Sequence, residues 1–131
     1  MKIDVSPLLF DWKENPVVIN GLPMTVGTTL VDSCFQAIRG EQPTGLEAAE
    51  LYALGQKILD KSKTVTEALD RFIKDGVEAK GEADLMEFGH DPVMVELTID
   101  EAKKLKDRIA KMYNSPYLIG VVFAALEGEE K

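Results

Sequence analysis

The chain has 131 residues, 45% of them hydrophobic and 29% charged, with a formal net charge of −8 and a pI of about 4.7. That is one domain of sequence with enough apolar material for a core, which excludes a disordered chain and one divided into two domains. The acidic balance argues against direct binding to nucleic acid or to an anionic membrane, since both require a basic face.

Residues 1–13 carry short apolar pieces, Ile3, Val5 and Leu8-Leu9-Phe10, interrupted by Ser6-Pro7. They read as an N-terminal arm or edge strand packed on the domain. Val17-Val18-Ile19 is a β-branched run, and Asn20-Gly21 behind it is the strongest two-residue hairpin signal, because both positions tolerate positive φ. The return strand spans Leu22 to Val26, weakened by Pro23. A lone hairpin is marginal and must lie on helices or gain a further strand.

Thr28 or Thr29 then caps a helix expected to run to Arg39, burying Leu30, Cys34, Ala37 and Ile38, with Gly40 as its stop. Thr-x-x-Glu follows three times, at Thr44, Thr64 and Thr98. Each is a capping box, in which the hydroxyl takes an orphan amide and the carboxylate reaches back to the cap's own N–H. These predict helices from Thr44 to about Lys61, from Thr64 to about Asp75, and from Thr98 to Asn114. Gly55 inside the first is unfavourable by about 1 kcal/mol against alanine, and reads either as the mark of a close helix crossing or as an accident of sequence. Residues 76–92 are charged and broken by Gly76, Gly81 and Gly89, and read as a mobile surface loop. Leu85, Met86 and Phe88 within it form a small hydrophobic hook, aimed at the body or at a partner. Val93, Val95 and Leu97 alternate as a third strand.

The helix after Thr98 repeats apolar residues at Ala102, Leu105, Ile109, Met112 and Tyr113, with Asp100 and Glu101 early and Lys103 to Lys111 later, as the helix dipole favours. Ser115 is an N-cap and Pro116 fits the first position of a last helix. That helix has no charge from Tyr117 to Leu126, so it must be covered on most sides, by the domain or by a second copy. Val121, Val122 and Ala125 are its candidates for a self- or partner interface, beside the hook Leu85, Met86 and Phe88. The expected class is α+β, mostly α, with an N-terminal β-hairpin and four or five helices in a single domain.

Chemistry is sparse. His90, the only histidine, sits in the turn-like Gly89-His90-Asp91-Pro92, and Asp84, Glu87, His90 and Asp91 match no metal-ligand spacing. Gly21, Gly27 and Gly40 lack the spacing and lysine of a phosphate loop, and there is no nucleophile elbow. Cys34 lies among Leu30, Val31, Phe35 and Ile38, the setting of a small buried hydrophobe. No catalytic, cofactor or metal residues are therefore assigned. A lone cysteine, a start without an apolar signal segment and a longest apolar run short of the roughly 18 residues that span a bilayer place the expected compartment in the cytoplasm.

One resemblance runs through these segments. Val95-Glu96-Leu97-Thr98, the basic run Lys103 to Arg108, the break Tyr113 to Pro116, the helix Leu118 to Glu127, and Gly21-Leu22-Pro23-Met24-Thr25-Val26-Gly27 before a helix resemble a group of small bacteriophage or prophage proteins, relative to which Thr64 to Asp91 is an insertion. The group has no established enzyme activity, so the resemblance transfers no functional residues. It implies an accessory or assembly protein that binds a phage or host protein, with a homodimer in view and the host cytoplasm as its compartment. An acidic inhibitor or nucleic-acid mimic acting on a host protein is the alternative; a small enzyme using residues 84–91 is the third reading.

Overall fold

In the computed structural model, which describes residues 1–127, the chain is an α+β, mostly α domain. Two two-stranded antiparallel sheets accompany four α-helices among the described residues. β1 (Lys2–Asp4) pairs with β4 (Met94–Glu96), Ile3 standing opposite Val95 and both pointing into the core. The third strand of the sequence reading therefore joins the N-terminal arm and not the hairpin. Asp4 fixes the exit from β1: its carboxylate accepts from the Ser6 N–H at 2.9 Å, the Ser6 hydroxyl at 2.7 Å and the Val93 N–H at 3.1 Å.

β2 (Val18–Ile19) and β3 (Leu22–Pro23) form the expected hairpin, with φ of 54° at Asn20 and 80° at Gly21. Such a turn fits its twist to that of the flanking strands. The arm completes the hairpin's hydrogen bonding: Leu9 N–H donates to the Met24 carbonyl at 2.9 Å, and its own carbonyl accepts from Val17 N–H at 3.0 Å. Residues 1–13 are thus built into the domain.

α1 (Val26–Phe35) starts earlier and ends earlier than its sequence suggests. Thr25 is the cap, in a reciprocal box with Thr28 in place of the usual Glu or Gln. Ala37 is exposed and Ile38 half buried, outside the helix. α2 (Gly45–Lys80) corrects the sequence reading most. The Thr44–Glu47 box forms, but the helix does not stop near Lys61 and restart at Thr64. The Thr64 hydroxyl instead donates to the Lys61 carbonyl within one continuous helix of 36 residues. The buried positions explain why: Leu51, Leu54, Gly55, Ile58, Ser62, Val65 and Leu69 form one unbroken stripe at helical spacing. Residues 76–80 belong to this helix and not to a loop, and Gly81 ends it in the left-handed conformation at φ 81°.

α1 lies antiparallel along α2, and two glycines permit the approach. A Cβ on Gly27 would meet Ser62 Oγ at 2.1 Å and Val5 Cβ at 3.1 Å; one on Gly55 would meet the Phe35 ring at 2.3 Å. α3 (Ile99–Met112) opens on the Thr98–Glu101 box, and α4 (Pro116–Glu127) on Ser115, whose hydroxyl accepts from Leu118 N–H at 3.3 Å. The core gathers Ile3, Val5, Leu9, Leu30, Ile58, Leu97, Leu105, Ile109, Val122 and Leu126 from both sheets' surroundings and all four helices.

Candidate functional site

Three regions carry the surface features from which a function can be read. The first is α4. Its buried edge is Leu118, Val122 and Leu126, one residue per turn into the core. Val122 has no exposed surface, which corrects its assignment as an interface candidate: its methyls are core filling. Val121 and Ala125 beside it are half buried and reach the surface, together with Ile119 and Phe123. Tyr117, Gly120 and Ala124 are exposed at i, i+3 and i+7, so the outer face is uncharged until Glu127. Lys106 closes one flank, with Nζ 2.6 Å from the Glu127 carboxylate and 5.7 Å from the Phe123 ring centre.

The second region is the distal part of α2 and the segment returning from it. No α2 residue beyond Leu69 is buried. The return lies against the helix at Gly76, where an added Cβ would stand 3.0 Å from Ala83 Cα. Phe88 meets Phe72 edge-on with ring centres 5.4 Å apart. The hook thus grips the body: Leu85 and Phe88 are half buried, while Met86 stays 56% exposed. Between Glu67 and Asp91 stand eight carboxylates against three basic side chains, more than half of the chain's net charge of −8. All eight carboxylates are exposed, and among the described residues none is in an ion pair. His90 Nδ1 lies 2.7 Å from the neighbouring Asp91 carbonyl. No group of three or more His, Cys, Asp or Glu among the described residues is placed to hold a metal ion.

The third region is one that the sequence did not disclose. Arg108, which reads as one more cation on an exposed helix face, is buried. Its Nε–H donates to the Ser33 carbonyl at 2.6 Å and its Nη2–H to the Gln36 carbonyl at 2.8 Å, and Nη1 pairs with Glu41. α1 has no basic residue in its own last turn, so this guanidinium from α3 supplies the missing C-terminal cation and hydrogen-bond donors. Cys34 lies alongside, buried, its thiol pushed up to about 11 by burial, which outweighs the lowering influence of the neighbouring Ser33 hydroxyl and of the Arg108 charge. A thiol so held stays protonated near neutral pH and is a poor nucleophile. Tyr113 is similar: burial, then the charge of Asp32, pushes its phenol up to about 12, and its hydroxyl has no hydrogen-bond partner among the described residues.

Nothing in these regions pairs a nucleophile with a base. No helix among the described residues is long and apolar enough to cross a membrane. No family model, curated protein or solved structure matches the chain.

Proposed function

We propose that this chain is a non-enzymatic accessory protein that works by protein–protein contact, with the outer face of α4 as its docking surface and a second copy of the chain as its first partner. The phage or prophage origin, an assembly role and action in the host cytoplasm belong to the same proposal and rest on the resemblance of residues 21–27 and 95–127. What supports the reading is one observation: the helix presents Tyr117, Gly120 and Ala124 to solvent with no charge among residues 116–126. Contiguous apolar surface of this kind marks contacts, and the small residues let another helix come near the short end of the usual roughly 8–10 Å axial spacing.

The test is light scattering across a range of protein concentration on the wild type and on Ala124→Glu. The wild type is expected to double its mass as concentration rises, and the variant to remain a folded monomer with unchanged far-UV circular dichroism. A wild type that stays monomeric throughout refutes self-association through α4.

The acidic surface supports a second reading, an inhibitor that occupies the basic site of a host protein. Its support is the set of eight exposed, unpaired carboxylates between Glu67 and Asp91. Such binding would weaken steeply with salt.

A further inference from the structure

A groove runs between the β2–β3 hairpin, α1 and α2; it shares Asp70 with the acidic surface and takes no residue from α4. It encloses about 300 Å³, the lower end of the roughly 300–1,000 Å³ typical of small-molecule pockets. Leu22, Met24 and Leu69 give it an apolar wall, Thr28 and Thr66 add hydroxyl groups, and two carboxylates, Asp32 and Asp70, line it without any Lys, Arg or His.

Asp32 is the telling residue. It projects from the middle of α1 and is half buried, yet among the described residues its carboxylate makes no hydrogen bond and no ion pair. Burial alone acts on it, raising its titration above the ordinary aspartate range. A carboxylate desolvated without a partner is unfavourable, and a protein interior normally supplies a donor or a cation. The other buried carboxylate-facing groups here follow that rule: Arg108 has Glu41, and Asp4 has three donors. Asp32 has an open groove in front of it instead. A bound cation would complete its electrostatics, while the wall from Met24 to Leu69 accepts an alkyl stem.

We infer that this groove binds an organic cation, a primary ammonium on an aliphatic stem, with the ammonium seated on Asp32 and the stem laid against Met24 and Leu69. The threonine hydroxyls accept the ammonium's remaining N–H groups. The same chemistry is offered by a free alkylamine and by a lysine side chain of a peptide.

Amide chemical-shift titrations with pentylamine, 1-pentanol and Nα-acetyl-lysine-methylamide test it, on the wild type, Asp32→Asn and Asp60→Asn. Saturable shifts at Thr28, Asp32 and Leu69 with either amine, weakened about tenfold by Asp32→Asn and unchanged by Asp60→Asn, support the site. Tighter binding of the lysine derivative assigns it to peptides, and tighter binding of pentylamine to free amines. Equal binding of 1-pentanol, equal weakening by Asp60→Asn, or no saturable shift with either amine overturns the inference. A melting temperature of Asp32→Asn no lower than that of the wild type keeps a loss of binding distinct from a loss of fold.

Discussion

Replacing Arg108 by alanine is the perturbation whose cost can be worked from the geometry. It removes two charge-assisted hydrogen bonds, to Ser33 and Gln36, and leaves Glu41 with only its exposed pair to Lys111 at 3.4 Å. A hydrogen bond to a charged group contributes about 1.5–3 kcal/mol, and breaking a buried pair from one side costs roughly 3–5 kcal/mol. Both figures must be reduced here. Gln36 is exposed, so its carbonyl regains water, and the Glu41 side chain is already 22% exposed. Ser33 is fully buried and its carbonyl regains nothing. A net loss of about 3 kcal/mol follows, a large share of the roughly 5–15 kcal/mol that holds a domain together. With an unfolding entropy of about 2.1 cal/mol/K per residue, the melting temperature should fall by roughly 10 °C. Arg108→Lys keeps the charge without the planar fork and should lose about half as much, and Glu41→Gln about 1 kcal/mol. Urea unfolding followed by circular dichroism measures all three, with the denaturant slope unchanged. Arg108→Ala costing under about 1 kcal/mol, or Glu41→Gln costing as much as Arg108→Ala, would refute the carbonyl-capping account.

Gly27→Ala should destabilise by about 1–3 kcal/mol through overpacking on Ser62 and Val5, and Ser62→Gly in the same chain should restore most of it; a double-mutant cycle with no coupling would contradict the contact. Ser62→Ala alone should be neutral or stabilising in the same unfolding assay, because among the described residues the buried hydroxyl has no partner to lose. Thr64→Ala should gain a few tenths of a kcal/mol from helix propensity, whereas loss of a working cap would cost about 1 kcal/mol; its melting curve decides between one helix and two. Asp32→Asn should stabilise the protein at neutral pH. The folded-state titration of Asp32 is raised above its ordinary 3.8, so its ionisation opposes folding, beginning as pH rises through that value. The advantage of asparagine should vanish in acid, and a pH series of melting curves for both proteins reads it directly.

Much of the architecture was legible because local chemistry and global packing agree. Thr44, Thr98 and Ser115 cap the helices that follow them, Asn20-Gly21 turns the hairpin, and Val95 alternates into the core. Thr64 misled because a capping box and an exposed threonine inside a helix share one sequence pattern. The phase of the apolar stripe through Ile58, Ser62 and Val65 was the deciding signal, and the serine in it concealed the continuity. Thr25 carries no Thr-x-x-Glu signal because its box closes on Thr28, not on a glutamate. Arg108 was not legible at all: its burial depends on where α1 ends, and α1 ends there partly because Arg108 takes its last carbonyls. For α4 the uncharged run was plain, but which side faces the core is a tertiary fact, so Val122 changed place while Val121 and Ala125 did not. The groove at Asp32 gathers residues from three elements and leaves no local trace.

The pairing of β1 with β4 has a consequence in time. Ile3 finds its partner only at Val95, after every element between them has been made. The α1–α2 hairpin closes over a short stretch of chain and can form early, whereas the strand pair must close a loop enclosing both helices, whose entropy grows with its length. As the chain leaves the ribosome, Ile3 therefore emerges ahead of α1 and α2 and gains its strand partner only behind them. Until then β1 is an apolar, unpaired strand edge, the feature that chaperones shield and that strays into aggregates when synthesis stalls.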